Sequence, residues 1–225
     1  MGTSKDLIAV KDISKTYRLG EVQVKALQNV TLAIQPGDFM VVTGRNGSGK
    51  STLLYQLGLL DWPDSGEIFL EGQEVVKLPD KHRRELRLNK IGYIFQNYAL
   101  IAELTALENV MLPAMMLAKP AVVRERARRL LKRVGLEHRL NHLIKRLSGG
   151  EQQKVAIARA LINDPKIIIA DEPTANLDTL AAKDVLTIFQ SLNRDDGHTI
   201  VMVTHEQEET ACANRLIKLS DGKIV

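Results

Sequence analysis

Cysteine is almost missing: the 225 residues hold one, Cys212, so no internal disulfide framework can staple the fold. A single thiol fits a reducing compartment, and as a packing unit it reads as a small buried hydrophobe. Long apolar runs are missing too. No stretch approaches 18 apolar residues, which excludes a helix that crosses a bilayer. The N-terminus has no charged start followed by a long apolar run, so no secretory signal is expected. Internal repeats and low-complexity segments are absent. Strong charge bias is also lacking, with a net charge of +4 and a sequence pI of about 9.1. Basic residues gather at Lys81-His82-Arg83-Arg84 and from Arg124 to Arg129, followed by Lys132 and Arg133. Their placement among apolar residues at helical spacing predicts solvated helix faces. An acidic partner loop or lipid headgroups are the alternative, with nucleic acid the weaker option. At 25.1 kDa the chain can bury a full α/β core, and its length allows one or two domains.

What is present is a phosphate loop. Gly44-Arg45-Asn46-Gly47-Ser48-Gly49-Lys50-Ser51 matches G-x-x-x-x-G-K-[ST] and stands between an apolar run, Phe39-Met40-Val41-Val42, and a helical one, Ser51-Thr52-Leu53-Leu54. Strand, loop and helix in that order are the context this chemistry requires. The glycines let successive backbone N–H groups turn inward around β- and γ-phosphates, and the helix N-terminus adds positive charge behind them. Lys50 supplies a point charge at the transferring phosphoryl, and Ser51 can hold Mg²⁺.

Ile167-Ile168-Ile169-Ala170-Asp171-Glu172 is a continuously apolar strand, as expected where helices cover both faces of a parallel sheet, and it ends in two carboxylates. Ligands sit at strand ends in open parallel sheets, so the pair is expected beside the phosphate loop. Asp171 is the candidate to orient Mg²⁺, and Glu172 to polarise the attacking water. Ser148-Gly149-Gly150-Glu151 has the S-x-x-E spacing of a capping box. Two glycines after the cap also leave that helix N-terminus open to the close approach of an anion. Both readings can hold at once.

Alternation predicts short strands at 8–13, 22–27 and 30–34, forming an antiparallel sheet beside the core. A further strand is expected at 66–70, a basic helix at 81–88 and a strand around Tyr93. From Asn97 to Arg146 almost everything has a helical pattern, including 106–117 and 122–134, with Pro113 as a kink or break. Strand and helix then alternate to the strand pair 216–219 and 223–225 around Asp221-Gly222.

At these motifs the chain resembles the ATP-binding cassette (ABC) ATPases over essentially its whole length. Leu147-Ser148-Gly149-Gly150-Glu151-Gln152 looks like the family signature, Gln96 like its Q-loop glutamine, and Asn176-Leu177-Asp178 like its D-loop. His205 looks like the switch histidine and Tyr17 like the aromatic on which adenine stacks. The resemblance implies an α/β fold: a P-loop NTPase core of mainly parallel sheet flanked by helices, an N-terminal antiparallel β subdomain and an inserted α-helical subdomain. It implies one domain over 1–225, with a RecA-like core from 1–96 and 148–225 and a helical signature subdomain at 97–147. Its implied catalytic residues are Glu172, His205, Lys50 and Gln96, and its metal ligands are Ser51, Gln96 and Asp171 for Mg²⁺. Nucleotide contacts are implied for Tyr17, for Gly44 through Thr52 including Arg45, Asn46, Gly47, Ser48 and Gly49, and for Ser148, Gly149, Gly150, Glu151 and Asp178. In the family the signature of one copy completes the phosphate site of another, which implies a homodimer around two ATP molecules.

The strings from Gly20 to Leu27, Leu104 to Val110 and Asp171 to Asp178 look most like the macrolide-export, lipoprotein-release and cell-division group. That likeness implies integral membrane permease partners, a place on the cytoplasmic face of the membrane, and no nucleic acid. His142-Leu143-Ile144-Lys145-Arg146 departs from the Gly-Glu-Arg-Gly stretch common before the signature of fused multidrug exporters. Arg45-Asn46 replaces the more usual Pro-Ser, and Lys154 stands where Arg is frequent; both bear on rate rather than on activity. An importer ATPase is the alternative, and a soluble ABC ATPase acting on DNA or the ribosome a more distant one. The transported substance is selected by a partner and is not legible.

Overall fold

The computed structural model describes residues 6–225. β1 (Ile8–Leu19) and β2 (Val22–Ile34) form a long antiparallel ribbon, followed by β3 (Phe39–Thr43) and α1 (Lys50–Leu57). Next come β4 (Ser65–Leu70), β5 (Gln73–Glu74), α2 (Asp80–Lys90) and β6 (Ile91–Ile94). A helical stretch follows, with α3 (Ala106–Met111), a 3-10 turn at Leu112–Ala114, α4 (Pro120–Arg133) and 3-10 turns at Glu137–Arg139 and Ile144–Arg146. After it run α5 (Gly149–Leu161), β7 (Ile167–Asp171), α6 (Thr179–Arg194) and β8 (Thr199–Val203). The one-turn α7 (Gln207–Thr210), β9 (Arg215–Ser220) and β10 (Lys223–Ile224) follow.

Two sheets result. The antiparallel one has the order β2-β1-β4-β5, and the other the order β10-β9-β3-β8-β7-β6, parallel except for β10 at its edge. Alternation along the parallel strands splits the core in two. Phe39, Val41, Ile168, Ala170, Ile200 and Met202 face α5 and α6, meeting Val155, Ile157, Val185 and Phe189. Met40, Val42, Ile167, Ile169, Val201 and Val203 face α1 and the ribbon, meeting Leu53, Leu54, Ile8 and Leu27. Burial on both faces is why these strands read as unbroken apolar runs. Truncating one such residue, Ile169→Ala, costs about 2–5 kcal/mol because the packed layers cannot close the void.

Local structure departs from the sequence expectation in three places. The ribbon is continuous where three short strands were expected, because left-handed residues at Asp12 (φ 49°) and Asn29 (φ 50°) lie at or beside its register shifts without ending it. Residues 97–105 form an ordered loop and not a helix. There the buried Asn109 side chain takes the place of backbone partners, accepting from Ile101 N at 2.8 Å and donating to Ile101 O and Thr105 O at 3.0 Å. Of the basic residues expected in solvent, Arg83 is buried, its guanidinium over the Trp62 ring and bonded to Asp61 O at 3.2 Å. Most α4 cations stay outside, since only Val123, Ala127 and Leu131, four residues apart, are buried in that helix, but Arg126 is half-buried and donates to Ile162 O at 2.9 Å. Pro113 stops α3 as expected.

Candidate functional site

Strand order assembles the site. β3, β8, β7 and β6 are neighbours, with Val42 beside Val203, Val203 beside Asp171, and Ala170 beside Ile94. The loop at Gly44, the turn at His205, the Asp171-Glu172 pair and Gln96 therefore all leave the sheet at its carboxyl edge.

In the phosphate loop, Gly44, Gly47 and Gly49 have φ of 153°, 77° and 102°. A Cβ at Gly44 would lie 2.3 Å from the Leu219 carbonyl oxygen, and one at Gly49 2.2 Å from that of Ala26. Neighbouring strands thus demand glycine there, whatever the ligand. The Lys50 ammonium is buried within its own loop, donating to the carbonyls of Gly44 at 3.0 Å and Arg45 at 3.2 Å. Arg45, Asn46 and Gly47 form the exposed rim.

At the second residue of α1, Ser51 Oγ donates to Asp171 Oδ1 at 3.3 Å. Burial raises the Asp171 carboxyl above its ordinary range; neighbouring Glu172 adds to this, while hydrogen bonds from Ser51 and Tyr55 oppose it. Glu172 has a left-handed backbone, φ 44°, strain of roughly 1–3 kcal/mol for such a residue, and its N–H stays tied to Val203 O at 3.0 Å. Its carboxylate accepts from Gln96 Nε2 at 3.2 Å and faces His205 Nδ1 at 3.4 Å. Asn176 Nδ2 in turn holds the Gln96 carbonyl at 3.0 Å.

Ser148 caps α5 with both halves of the capping box in place: Glu151 N donates to Ser148 Oγ at 3.2 Å, and Ser148 N to Glu151 Oε2 at 2.9 Å. Arg139 Nε adds a bond to Glu151 Oε1 at 2.9 Å. Burial pushes the Glu151 carboxyl up, but these bonds outweigh it and hold the group below its ordinary value. Asp178 caps α6, accepting from Leu180 N at 3.0 Å and Ala181 N at 2.9 Å. A Cβ at Gly150 would meet Ala181 Cβ at 2.9 Å, and one at Gly149 the Tyr98 hydroxyl at 3.1 Å. Gly149 therefore packs against Asn176 and Leu177, and Gly150 against the first turn of α6, all of their own chain. Tyr17, on β1, donates to Asp61 Oδ2 at 2.7 Å and has Thr52 of α1 as a further partner. Burial, then Asp61, pushes its phenol up to about 12.

The predicted residues thus fall into two groups, one at the strand ends with Tyr17 along its flank, the other where α5 and α6 begin. Three further residues join them. Tyr55 bonds Asp171 from four residues beyond Ser51 on α1, a helical spacing that could have revealed it. Asn176 lay inside the Asn176-Leu177-Asp178 string. Arg159 of α5 donates to the carbonyls of Tyr98 (2.9 Å) and Ala99, two left-handed residues just after Gln96, and no local signal marks it. Beside that loop, between α2, β6 and α5, opens a groove of about 620 Å³. Leu60, Leu88, Phe95 and Met116 line it, with Lys81, Arg84, Arg87 and Arg159 as its cations.

A family model described as ABC transporter matches residues 27–175, more than half of the chain. The macrolide export ATP-binding/permease protein MacB of Syntrophobacter fumaroxidans is 48% identical over 223 residues, which make up 97% of this chain and 31% of that protein. An uncharacterized ABC transporter ATP-binding protein of Methanocaldococcus jannaschii is 49% identical over 220 residues, 97% of this chain and 98% of that one. The chain thus spans about a third of the MacB proteins it matches and nearly all of the second relative. Among solved structures, a dimeric post-hydrolysis state of the ATP-binding cassette MJ0796, bound to ADP and Pi, matches with a TM-score of 0.90 at 42% identity, covering 96% of each chain.

Proposed function

The chain belongs to the ABC transporter family as one of its ATP-binding, ATP-hydrolysing cassettes, and on that premise we propose that it drives an export or extraction machine. Two copies pair head to tail around two ATP molecules, and closure of the pair moves a membrane permease. One observation carries this reading. Within a single chain the glycine-tipped start of α5 lies with Asn176–Asp178, while Lys50 and Glu172 lie at the strand ends. A second copy would bring the head of its own α5 to the phosphate loop of the first, and the dimeric, ADP- and Pi-bound neighbour supports that arrangement. The export direction draws on the likeness to the MacB relatives, which are named as macrolide export proteins.

Phosphoryl transfer asks for positioning and charge stabilisation more than covalent chemistry. Lys50 and the amides from Gly44 to Thr52 hold the β- and γ-phosphates, and Tyr17 offers its ring to adenine. Ser148, Gly149 and Gly150 of the facing copy close over the γ-phosphate, with Glu151 and Asp178 behind them. Glu172 takes a proton from the attacking water, while Gln96 and His205 keep its carboxylate aimed. Mg²⁺ fits the Ser51 hydroxyl and Asp171 carboxylate, two hard oxygen donors 3.3 Å apart, because such sites use one or two carboxylates together with phosphate oxygens. Gln96 would complete the protein's share. When bound, the ion neutralises charge on the β- and γ-phosphates.

Residues 97–147 act as the lever of this machine, since they connect Gln96 to the signature. The groove beside Gln96 takes a short helix of the permease on the cytoplasmic face of the membrane, its apolar floor and cationic rim favouring an apolar helix with acidic flanks. No helix among the described residues is long and apolar enough to cross a membrane. ATP hydrolysis by the Glu172→Gln chain tests the assignment: turnover falls by about 10²- to 10⁴-fold while ATP binding persists. Turnover within about twofold of wild type removes Glu172 as the base.

A further inference from the structure

A buried carboxyl with none of the roles above lies beneath the turn that carries His205. Glu209 on α7 is 3% exposed, and beside it Thr174 and Thr204 are 6% and 2% exposed. Thr174 comes two residues after Glu172, and Thr204 directly precedes His205. Thr174 Oγ1 donates to Glu209 Oε1. The Thr204 hydroxyl, which accepts Glu206 N at 2.9 Å, is a further partner of the same carboxyl. The remaining oxygen, Oε2, is buried and has no hydrogen-bond partner among the described residues.

Such a placement is costly. Burial raises the Glu209 carboxyl above its ordinary range, with Glu206 and Glu172 adding like charge and Thr204 and His205 offsetting part of it. For packing alone, an apolar side chain of similar volume does as well or better. What the carboxyl supplies is a link. The ladder between β7 and β8 ends at Asp171 and Val203, so the two turns beyond it, one with Glu172 and one with His205, extend past the strand pairing. Thr174 belongs to the first turn and Thr204 to the second.

We propose that Glu209 is a positioning residue for hydrolysis: its carboxyl ties the turn after Glu172 to the turn carrying His205, and so sets the 3.4 Å approach of His205 Nδ1 to Glu172. The inference rests on the reading that His205 and Glu172 act together on the attacking water.

Single-turnover ATP hydrolysis by the full chain tests it. Glu209→Ala and Thr174→Val each slow hydrolysis about tenfold, the effect of one lost positioning hydrogen bond, with ATP affinity unchanged. Glu209→Gln keeps an acceptor oxygen and most of the rate. In a His205→Ala background, Glu209→Ala slows the reaction no further, because both changes remove the same constraint. Independent, multiplying losses in the double variant overturn the proposal, as does a Glu209→Ala rate within about twofold of wild type when His205→Ala is slow. If Glu209→Ala does not fold, Thr174→Val, which deletes only a hydroxyl, carries the same comparisons. A His205→Ala chain at the wild-type rate brings down the underlying reading as well, so the two failures are distinct.

Discussion

At Glu151 two hydrogen bonds converge on one carboxylate at the head of α5, from Arg139 Nε and from Ser148 N, while the Glu151 backbone N–H donates to Ser148 Oγ to close the other half of the box. Their combined pull keeps the carboxyl below its ordinary value of 4.5. A carboxylate with a lowered folded value stabilises the fold above its unfolded value, and that contribution is lost as pH falls through the lowered one. The chain is therefore expected to lose stability in acid below the ordinary glutamate range, and Arg139→Ala to flatten that loss. Urea unfolding of both chains between pH 6 and pH 3, pH values chosen to bracket glutamate titration, checks it. An identical pH dependence in the variant contradicts this account of Arg139. Local arrangements that depend on spacing were legible: the capping box, the phosphate loop and the Asp171-Glu172 pair each occupy a few consecutive positions. Arg139, Arg159 and Glu209 were not, because each acts on a residue 12 to 60 positions away in sequence or across a turn whose geometry only the fold creates.

Elements carry the next constraint. α5 and α6 start side by side, and Gly150 is where they touch, with Ala181 Cβ only 2.9 Å from where a Cβ would stand. The Gly150 backbone is not left-handed, so a side chain there meets crowding and not backbone strain. Gly150→Ala is expected to destabilise the chain by about 1–3 kcal/mol through overpacking. It also weakens ATP-driven pairing, and Ala181→Gly in the same chain restores part of both. Thermal melts and dimer titrations of the single and double variants decide this; full stability in the single variant would show that the helices do not need the close approach. Elements with an unbroken apolar run, such as β3, β7 and β8, or with a helical period, such as α4 and α6, were readable. The ribbon was under-read because bulges at Asp12 and Asn29 interrupt its alternation without breaking its pairing. The loop at 97–105 was over-read as helix because its stabilising partner, Asn109, lies in the helix after it.

For the whole molecule the decisive property is the order β3-β8-β7-β6, which brings Gly44, His205, Glu172 and Gln96 to one edge from positions more than 160 residues apart. No stretch of sequence states that order; the rule that ligands sit at the strand ends of a parallel sheet placed only the Asp171-Glu172 pair beside the phosphate loop in advance. The same fold leaves Ser148, Asp178 and Leu180 exposed, the last at 78%, on the face where α5 and α6 begin. The central claim, that two chains close on ATP, is tested most directly by light scattering of the Glu172→Gln chain on a sizing column with Mg²⁺ and ATP. The account predicts a dimer of about twice 25.1 kDa that reverts to monomer with ADP. A single monomeric peak at saturating ATP would contradict it.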